Sequence, residues 1–254
     1  MLLTIDVGNT QTVLGLFEGP QIVEHWRLAT DPRRTADELA LLVGGLLDSS
    51  GHRSAVAGIS ACSTVPAVLN EVRTMCARWF ADLPIVIVEP GTRTGVPVLT
   101  DNPKEVGSDR IVNTLAAFTL HPGPSVVVDF GTATTFDAVS ERGEFLGGAF
   151  APGIEISVDA LASRAAQLLK VQLVRPRSVI GKNTVEALQS GILYGFAAQV
   201  DGITERIVAE LGPSTTVIAT GGLAPVVLEE CRRIDVHEPW LTLIGLRLVF
   251  ERNV

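Results

Sequence analysis

Apolar and polar positions along this chain follow two different periods, which together predict an α/β protein. Short apolar runs bounded by glycine, proline or charged residues predict buried strands, and apolar residues three and four positions apart predict helices. Thr35 and Glu38 have the spacing of a capping box ahead of one helical run, and Pro66 suits the first turn of another helix. Strands are predicted at residues 2–5, 13–17, 21–28, 54–61, 84–88, 126–139 (two strands), 144–150, 215–220 and 234–236. Helices are predicted at residues 35–48, 65–80, 108–120, 154–169, 184–211, 223–232 and 241–251.

One pattern occurs twice: an apolar strand ends at an aspartate, and an apolar residue, a glycine and a cluster of hydroxyl or amide side chains follow. The two copies lie at residues 5–12 and 126–139, and their aspartates are separated by 129 minus 6, or 123 residues, close to half of the 254-residue chain. The repeat therefore predicts two similar halves. The matched pairs are Asp6 and Asp129, Gly8 and Gly131, and Thr12 and Thr135.

Each half is predicted to contain three hairpin-linked strands followed by alternating helices and strands, which is the order of a ribonuclease-H-like α/β unit. We expect one such half at residues 1–120 and the other at 121–254, the second also supplying dimerisation helices. The active site is expected in the cleft between the halves.

The first hairpin has the chemistry of a phosphate site. Gly8 lets the backbone approach a ligand closely, and Asn9, Thr10 and Thr12 can donate hydrogen bonds to phosphate oxygens. Asp6 can hold Mg²⁺ directly or through water. A strand end followed by a tight turn is the simpler interpretation of one copy, and the second copy favours the phosphate site.

A third carboxylate, Asp109, follows a long polar loop at residues 90–106. Phosphoryl transfer needs donors around the phosphoryl group, a divalent metal and a group that deprotonates the acceptor hydroxyl. Asp109 is a candidate general base, and Arg110 beside it could pair with an anionic acceptor. Alternatively, Ser108 and Asp109 are only the cap of the helix that begins there.

Composition and missing motifs narrow the function further. A net charge of −8 and a pI near 5.0 disfavour nucleic acid or an anionic membrane as partner. Three scattered cysteines, no signal-peptide pattern and no long apolar stretch predict a cytoplasmic protein. The P-loop, the dinucleotide-binding glycine fingerprint, the H-E-x-x-H motif and the G-x-S-x-G elbow are all missing from the sequence.

Three motifs, in this order and at this chain length, resemble the signature set of type III pantothenate kinases, which belong to the acetate and sugar kinase, actin and heat-shock chaperone superfamily. Residues 6–10 read Asp-Val-Gly-Asn-Thr, residues 107–110 read Gly-Ser-Asp-Arg, and residues 129–135 read Asp-Phe-Gly-Thr-Ala-Thr-Thr. The resemblance extends over essentially the whole chain, through Pro152-Gly153, Gly181-Lys182-Asn183-Thr184, Ser190-Gly191, Thr220-Gly221-Gly222 and Leu241-Thr242-Leu243 to Asn253. Ser108 stands where alanine is common in the family.

The resemblance implies phosphorylation of the 4′-hydroxyl of pantothenate by ATP with Mg²⁺, the first step of coenzyme A synthesis, in a homodimer. Asp109 would be the proton acceptor. Asp129 would hold a monovalent cation, K⁺ or NH₄⁺, although the residues alone would allow it to be a second Mg²⁺ ligand. The implied ATP-binding residues are Asp6, Val7, Gly8, Asn9, Thr10, Gln11, Thr12, Val13 and Thr132, with Thr220-Gly221-Gly222 approaching the adenosine. The implied pantothenate-binding residues are Gly107, Ser108, Asp109, Arg110 and Thr184.

Two other hypotheses stay open at this point. The chain could be a catalytically silent ATP-binding regulator on the same fold, although the intact Asp6, Asp109 and Asp129 argue against it. It could also be a kinase for another small hydroxy acid. Actin-like or chaperone functions need larger inserted subdomains than 254 residues accommodate.

Overall fold

The structure is a computed structural model that describes residues 1–164 and 171–254. The chain divides into two compact units. The first comprises Met1–Val96, Asp101–Ala116 and Leu241–Val254, and the second comprises Pro97–Thr100 and Ala117–Trp240. The closing segment of the chain is therefore part of the first unit.

Ten strands and seven α-helices form the regular structure of the described residues. The strands are β1 (Leu2–Val7), β2 (Gln11–Glu18), β3 (Gln21–Ala29), β4 (Gly58–Ser63), β5 (Ile85–Ile87), β6 (Ser125–Phe130), β7 (Ala133–Val139), β8 (Phe145–Pro152), β9 (Thr216–Thr220) and β10 (Val236–His237). The helices are α1 (Ala36–Ser49), α2 (Pro66–Trp79), α3 (Ser108–Leu120), α4 (Ile154–Arg164), α5 (Thr184–Leu211), α6 (Ala224–Val227) and α7 (Leu241–Asn253).

Both units contain a five-stranded sheet with the same topology. The strand order is β3-β2-β1-β4-β5 in the first sheet, and β8-β7-β6-β9-β10 in the second. In each sheet the three hairpin-linked strands are antiparallel, and the last two strands lie parallel to the first strand of the hairpin. The internal repeat thus corresponds to two copies of one α/β sheet, which confirms the predicted fold class.

The register of the two hairpins shows that one pair of residues was matched wrongly between the two copies of the repeat. Val7 pairs with Thr12 in the first hairpin, and Phe130 pairs with Thr134 in the second. The structural equivalent of Thr12 is therefore Thr134, and the sequence-based match with Thr135 is wrong.

The cause is the length of the two turns. A backbone hydrogen bond from Gly8 N to Gln11 O, 3.0 Å long, closes the first turn, whereas the second is closed from Gly131 N to Ala133 O at 3.1 Å. The second turn is one residue shorter, so a constant offset aligns the aspartates but not the residues beyond the glycines.

In the first unit, α1 and α2 cover one face of the sheet. The predicted capping box is present, with the Thr35 hydroxyl accepting from Glu38 N and the Glu38 carboxylate accepting from Thr35 N. Leu39, Val43 and Leu47 recur every four residues, which places them on one side of α1, and all three are buried in the core. The sheet residues in the same core include Leu3, Ile5, Leu14, Leu16, Ile59 and Ala61.

The closing helix α7 lies against the opposite face of the first sheet. Ser60 Oγ donates a 2.8 Å hydrogen bond to the backbone oxygen of Leu246. A Cβ atom on Gly15 would lie 2.8 Å from Leu243 Cδ1, so that a glycine in β2 is what allows the close contact with the helix. The second sheet is covered on one face by α5 and α6, where the buried core includes Phe130, Phe136, Leu193, Val200 and Val227.

Two predicted elements differ from the structure, and a third extends beyond the described residues. Residues 54–57, predicted as strand, instead include the end of a 3₁₀ turn, Arg53–Ala55, and β4 begins only at Gly58. The helix predicted at 223–232 is a four-residue α6 followed by a 3₁₀ turn, Leu228–Glu230. The helix predicted at 154–169 is described to Arg164, and its last five residues lie outside the described residues.

Within residues 1–164 and 171–254, none of the helices combines the length and apolarity that crossing a membrane requires.

Candidate active site

The turn of the first hairpin presents polar groups to solvent. Asn9, Thr10 and Gln11 are exposed, whereas Thr12 is buried, with its hydroxyl oxygen 2.9 Å from that of Thr30. Thr30 N also donates to Thr10 O at 3.0 Å, so that the end of β3 supports the turn. The turn therefore offers amide and hydroxyl donors beside a glycine, as a phosphate group requires, although the Thr12 hydroxyl contacts Thr30.

Asp6 lies at the carboxyl end of β1, directly beside Cys62 in the parallel strand β4. The Cys62 thiol donates a hydrogen bond to Asp6 Oδ1, with an S–O distance of 3.4 Å. Burial, together with the negative charge of Asp109, raises the pKa of Asp6 to about 7, and the Cys62 hydrogen bond works against that rise. A bound cation at this carboxylate would favour its ionised form.

Asp109 is the second residue of α3 and belongs to the same unit as Asp6. Burial raises the pKa of Asp109 above its usual range, and the backbone N–H and the positive charge of Arg110 work against that rise. Its Oδ1 atom is buried and has no hydrogen-bond partner among the described residues. A buried acceptor with a raised pKa has the properties of a general base that takes a proton from a substrate hydroxyl.

Gly107 gives the Asp109 side chain its space. A Cβ atom on Gly107 would lie 2.4 Å from Asp109 Oδ1, which is closer than real Cβ contacts. The backbone oxygen of Gly107 accepts hydrogen bonds from Arg110 N at 3.2 Å and Ile111 N at 3.3 Å. Glycine at this position is therefore required by the carboxylate and not by an unusual backbone angle.

The other two residues of this motif are partly buried beside Asp109. Ser108 Oγ donates a long hydrogen bond, 3.5 Å, to Ser63 O at the end of β4, and its side chain also interacts with the Cys62 thiol. Arg110 follows Asp109, and its backbone oxygen accepts from Thr114 Oγ1 at 2.9 Å. The first unit thus contains both the motif at 107–110 and Asp6, which a kinase site needs near one another.

The second hairpin is enclosed by glycines. Asp129 lies near the end of β6 and pairs with Thr220 of β9, which Gly221 follows. Gly221 has φ of +93°, and a Cβ atom there would lie 2.5 Å from Asp129 Oδ1. On the other side of the turn, a Cβ atom on Gly153 would lie 2.1 Å from Thr132 O. The backbone of Gly221 therefore comes close to the Asp129 carboxylate, and the backbone of Gly153 comes close to the Thr132 carbonyl.

Thr184 is exposed at the first position of α5, in the second unit. Asn183 caps this helix by accepting a 2.9 Å hydrogen bond from Glu186 N. Gly181 permits the turn before it, since a Cβ atom there would lie 2.3 Å from Ala187 N. Thr132, Thr184 and Thr220-Gly221-Gly222 are thus in the second unit, whereas the other candidate ATP-binding and pantothenate-binding residues are in the first.

No group of three or more histidine, cysteine, aspartate or glutamate side chains suited to a metal ion occurs among the described residues.

Sequence reasoning missed Cys62 and Thr30. The signal for Cys62 was its place at the carboxyl end of a predicted parallel strand, because parallel strands of one sheet bring their carboxyl ends to the same edge. Thr30 stands at the end of the third strand, and a two-hairpin meander brings that end back to the first turn.

Solved structures identify the class of fold. The activator of the 2-hydroxyisocaproyl-CoA dehydratase from Clostridium difficile, solved with bound ADPNP, matches with a TM-score of 0.60 at 12% identity, covering 99% of this chain and 95% of that one. An inorganic polyphosphate/ATP-glucomannokinase from Arthrobacter sp. strain KM matches with a TM-score of 0.53 at 12% identity, covering 100% and 99%. The fold is that of the actin-like ATPases and sugar kinases.

Sequence relatives identify the family within that class. The family model of type III pantothenate kinase matches residues 2–206. A type III pantothenate kinase of Acidothermus cellulolyticus is 72% identical over 254 residues, covering 100% of this chain and 99% of the relative, and one of Salinispora arenicola is 65% identical over 254 residues with 100% of both covered. The chain belongs to the type III pantothenate kinase family.

Proposed function

We propose that this protein transfers the γ-phosphoryl group of ATP to the 4′-hydroxyl of pantothenate, the first step of coenzyme A biosynthesis. The observation that supports this most directly is Asp109, a partly buried carboxylate with a raised pKa whose Oδ1 atom is buried and has no hydrogen-bond partner in the described residues. In this role Asp109 accepts the proton of the attacking hydroxyl. A positioned base typically accelerates such a step by about 10²–10⁴-fold.

The nucleotide is bound by the first hairpin and by Thr132. The exposed turn residues donate hydrogen bonds to phosphate oxygens, and Asp6 positions the Mg²⁺ that accompanies ATP. Bound Mg²⁺ neutralises charge on the phosphates and so stabilises the transition state. The residues in this proposal are Asp6, Val7, Gly8, Asn9, Thr10, Gln11, Thr12, Val13 and Thr132.

Pantothenate is bound by Gly107, Ser108, Asp109, Arg110 and Thr184 in this proposal. Arg110 binds the carboxylate of pantothenate in this proposal, because a guanidinium group can pair with a carboxylate through two parallel hydrogen bonds.

Asp129 holds a monovalent cation, K⁺ or NH₄⁺, in this proposal. The glycines around the second hairpin support it, because any larger residue at Gly221 or Gly153 would place a Cβ atom against Asp129 Oδ1 or Thr132 O, where the cation would be bound. Carboxylate and carbonyl oxygens are the donors that hard cations such as these favour.

We also propose that the protein acts as a homodimer through α4 and α5. A groove of about 370 Å³ runs between these helices. Cβ atoms built on Gly191 and Gly195, which line it, meet nothing within 4 Å, so this face of α5 is open to another backbone. Exposed apolar side chains on the two helices include Ile156, Leu161 and Val185.

A reducing compartment, the cytoplasm, fits the three free cysteines, of which Cys62 and Cys76 are buried. The alternative of a catalytically silent regulator is not favoured, since Asp6 and Asp109 are intact and lie in one site.

The test is ADP release from ATP and Mg²⁺, measured with and without pantothenate, first in K⁺ and then in Na⁺ buffer. We expect turnover that requires both pantothenate and K⁺. Turnover with other hydroxy acids but not with pantothenate would show that the kinase acts on a different substrate. ATP binding without turnover in either buffer would overturn the kinase function.

A further inference from the structure

Cys62 joins two parts of the site that the sequence places far apart. It is fully buried at the carboxyl end of β4, and its thiol donates to Asp6 Oδ1 at 3.4 Å. The same thiol interacts with the side chain of Ser108, whose hydroxyl also contacts the backbone oxygen of Ser63. One side chain therefore touches both the aspartate of the hairpin and the first turn of the helix that includes Asp109.

The electrostatics of the site indicate a role for the hydrogen bond between Cys62 and Asp6. Asp6 and Asp109 are both carboxylates, and the charge of Asp109 disfavours the charged form of Asp6. The hydrogen bond from Cys62 acts in the opposite direction, because a donor to a carboxylate favours its charged form. Cys62 is the side-chain donor that the structure gives to Asp6, and the parallel register of β1 and β4 fixes its position opposite that residue.

A thiol suits this position because it combines two properties. It packs as a small apolar side chain, so its burial in the sheet costs little, and its S–H group is a weak donor.

We propose that Cys62 is a positioning residue for phosphoryl transfer, which holds the Asp6 carboxylate in the orientation that meets the nucleotide and couples it to the first turn of α3. This inference rests on the proposed role of Asp6 in binding ATP with Mg²⁺. Cys62 itself touches neither the nucleotide nor the acceptor in this account, and its effect is on binding of the nucleotide rather than on binding of pantothenate.

The chain offers a matched control in Cys76. This residue is also buried in the first unit, on the core-facing side of α2, and burial alone raises the pKa of its thiol to about 11. Cys76→Ala removes the same atoms from a buried site, so it measures the loss of packing without the loss of the contact with Asp6.

The experiment compares Cys62→Ala, Cys62→Ser and Cys76→Ala in the full-length protein, with separate KM values for ATP·Mg²⁺ and pantothenate. Loss of a hydrogen bond to a charged group should raise the KM for ATP·Mg²⁺ about tenfold in Cys62→Ala, with the KM for pantothenate changed by less than about twofold. Cys62→Ser, which keeps a donor, should recover most of that loss, and Cys76→Ala should leave both KM values at the wild-type level.

Calorimetric binding of ATP·Mg²⁺ to the same variants separates this inference from the proposed function. If the wild type has no pantothenate kinase activity, the function is wrong, yet the affinity ranking of the variants still tests Cys62. Equal nucleotide affinity in Cys62→Ala and Cys76→Ala, or no recovery in Cys62→Ser, would leave Cys62 with a packing role and overturn the inference.

A second measurement does not depend on how well Cys62→Ala folds. The S–H stretching band of Cys62, identified in the wild type by its loss in Cys62→Ser, should lie at lower wavenumber than that of Cys76 because it is hydrogen-bonded to a carboxylate. Asp6→Ala should shift that band upward, and an unchanged band would contradict the contact.

Discussion

The two hairpins occupy the same place in two sheets of identical topology, yet their aspartates have different surroundings. Asp6 accepts from a thiol and is influenced by the charge of a second carboxylate, Asp109. Asp129 is approached by the backbone of Gly221, where even a Cβ atom would lie 2.5 Å from its Oδ1. The repeated scaffold therefore gives the two aspartates different neighbours, a thiol and a second carboxylate at Asp6 and the closely approaching backbone of Gly221 at Asp129.

The difference shows that the repeat determines where an aspartate lies, while segments outside the repeated pattern determine its chemistry. Asp109 comes from α3, and Gly221 comes from the turn after β9. Accordingly, we assign proton transfer and Mg²⁺ to the first unit and the monovalent cation to the second, as proposals that the following variants test.

The largest effect is expected from Asp109→Asn, which removes the base and leaves the shape of the side chain nearly unchanged. We expect kcat with pantothenate to fall by about 10²–10⁴-fold, because the hydroxyl proton has no acceptor. Calorimetry should show ATP affinity close to that of the wild type. A variant with kcat within about threefold of the wild type would exclude Asp109 as the base.

The raised pKa of Asp6 predicts a dependence of stability on pH in the metal-free protein. Because Asp6 binds its proton more tightly when folded, its contribution is fully present below its ordinary pKa of 3.8 and is lost as pH rises through about 7. Relative to Asp6→Asn, the wild-type free energy of unfolding should fall by at most about 4 kcal/mol across this window. Urea unfolding at several pH values measures it, and parallel curves for the two proteins would contradict the burial of Asp6.

Gly107→Ala tests whether the Asp109 carboxylate needs the space beside it. The new Cβ atom would lie 2.4 Å from Asp109 Oδ1, so the carboxylate must rotate. Misplacement of a reacting group by about 1 Å can cost about 10²-fold in rate, and we expect a loss of kcat of that order.

Gly45→Ala is the control for that substitution, since Gly45 lies within α1 and a Cβ atom there meets nothing within 4 Å. It should leave activity unchanged and raise the free energy of unfolding by about 0.5–1 kcal/mol. Equal kinetics for the two alanine variants would show that Gly107 has no special role.

The smallest effect is expected from Ser108→Ala. The hydrogen bond from Ser108 Oγ to Ser63 O is long, at 3.5 Å, and alanine is common at this position in the family that the sequence resembles. We expect kcat/KM for pantothenate to change by less than about threefold, because a single neutral hydrogen bond contributes about 0.5–1.5 kcal/mol and a long one lies at the low end. A loss near that of Asp109→Asn would assign the hydroxyl a direct role in the reaction.

The sequence predicted most of the scaffold because its local signals agree with the tertiary structure. The capping box at Thr35, the proline at the start of α2 and the boundaries of α3 and α5 are all set by residues close in the chain. The repeat predicted two sheets of one topology, because similar strand–turn–strand patterns specify similar hairpins even where the turns differ by one residue.

What could not be predicted depends on contacts between distant segments. Ser54 and Ala55, in the 3₁₀ turn, are as small as the residues of the strand that follows, so composition does not separate the two. The position of α7 on the first sheet arises from Leu243 and Leu246 meeting β2 and β4, which lie far earlier in the chain. The contact between Cys62 and Asp6 likewise requires the register of two parallel strands.

The division of tasks between the two hairpins is tested most directly by measuring the Mg²⁺ and K⁺ dependence of pantothenate phosphorylation in Asp6→Asn and Asp129→Asn. We predict that Asp6→Asn raises the Mg²⁺ concentration for half-maximal activity and leaves the K⁺ dependence at the wild-type value. Asp129→Asn should do the reverse. If both variants shift both dependences to the same extent, the two aspartates share one ionic role and the proposed division is wrong.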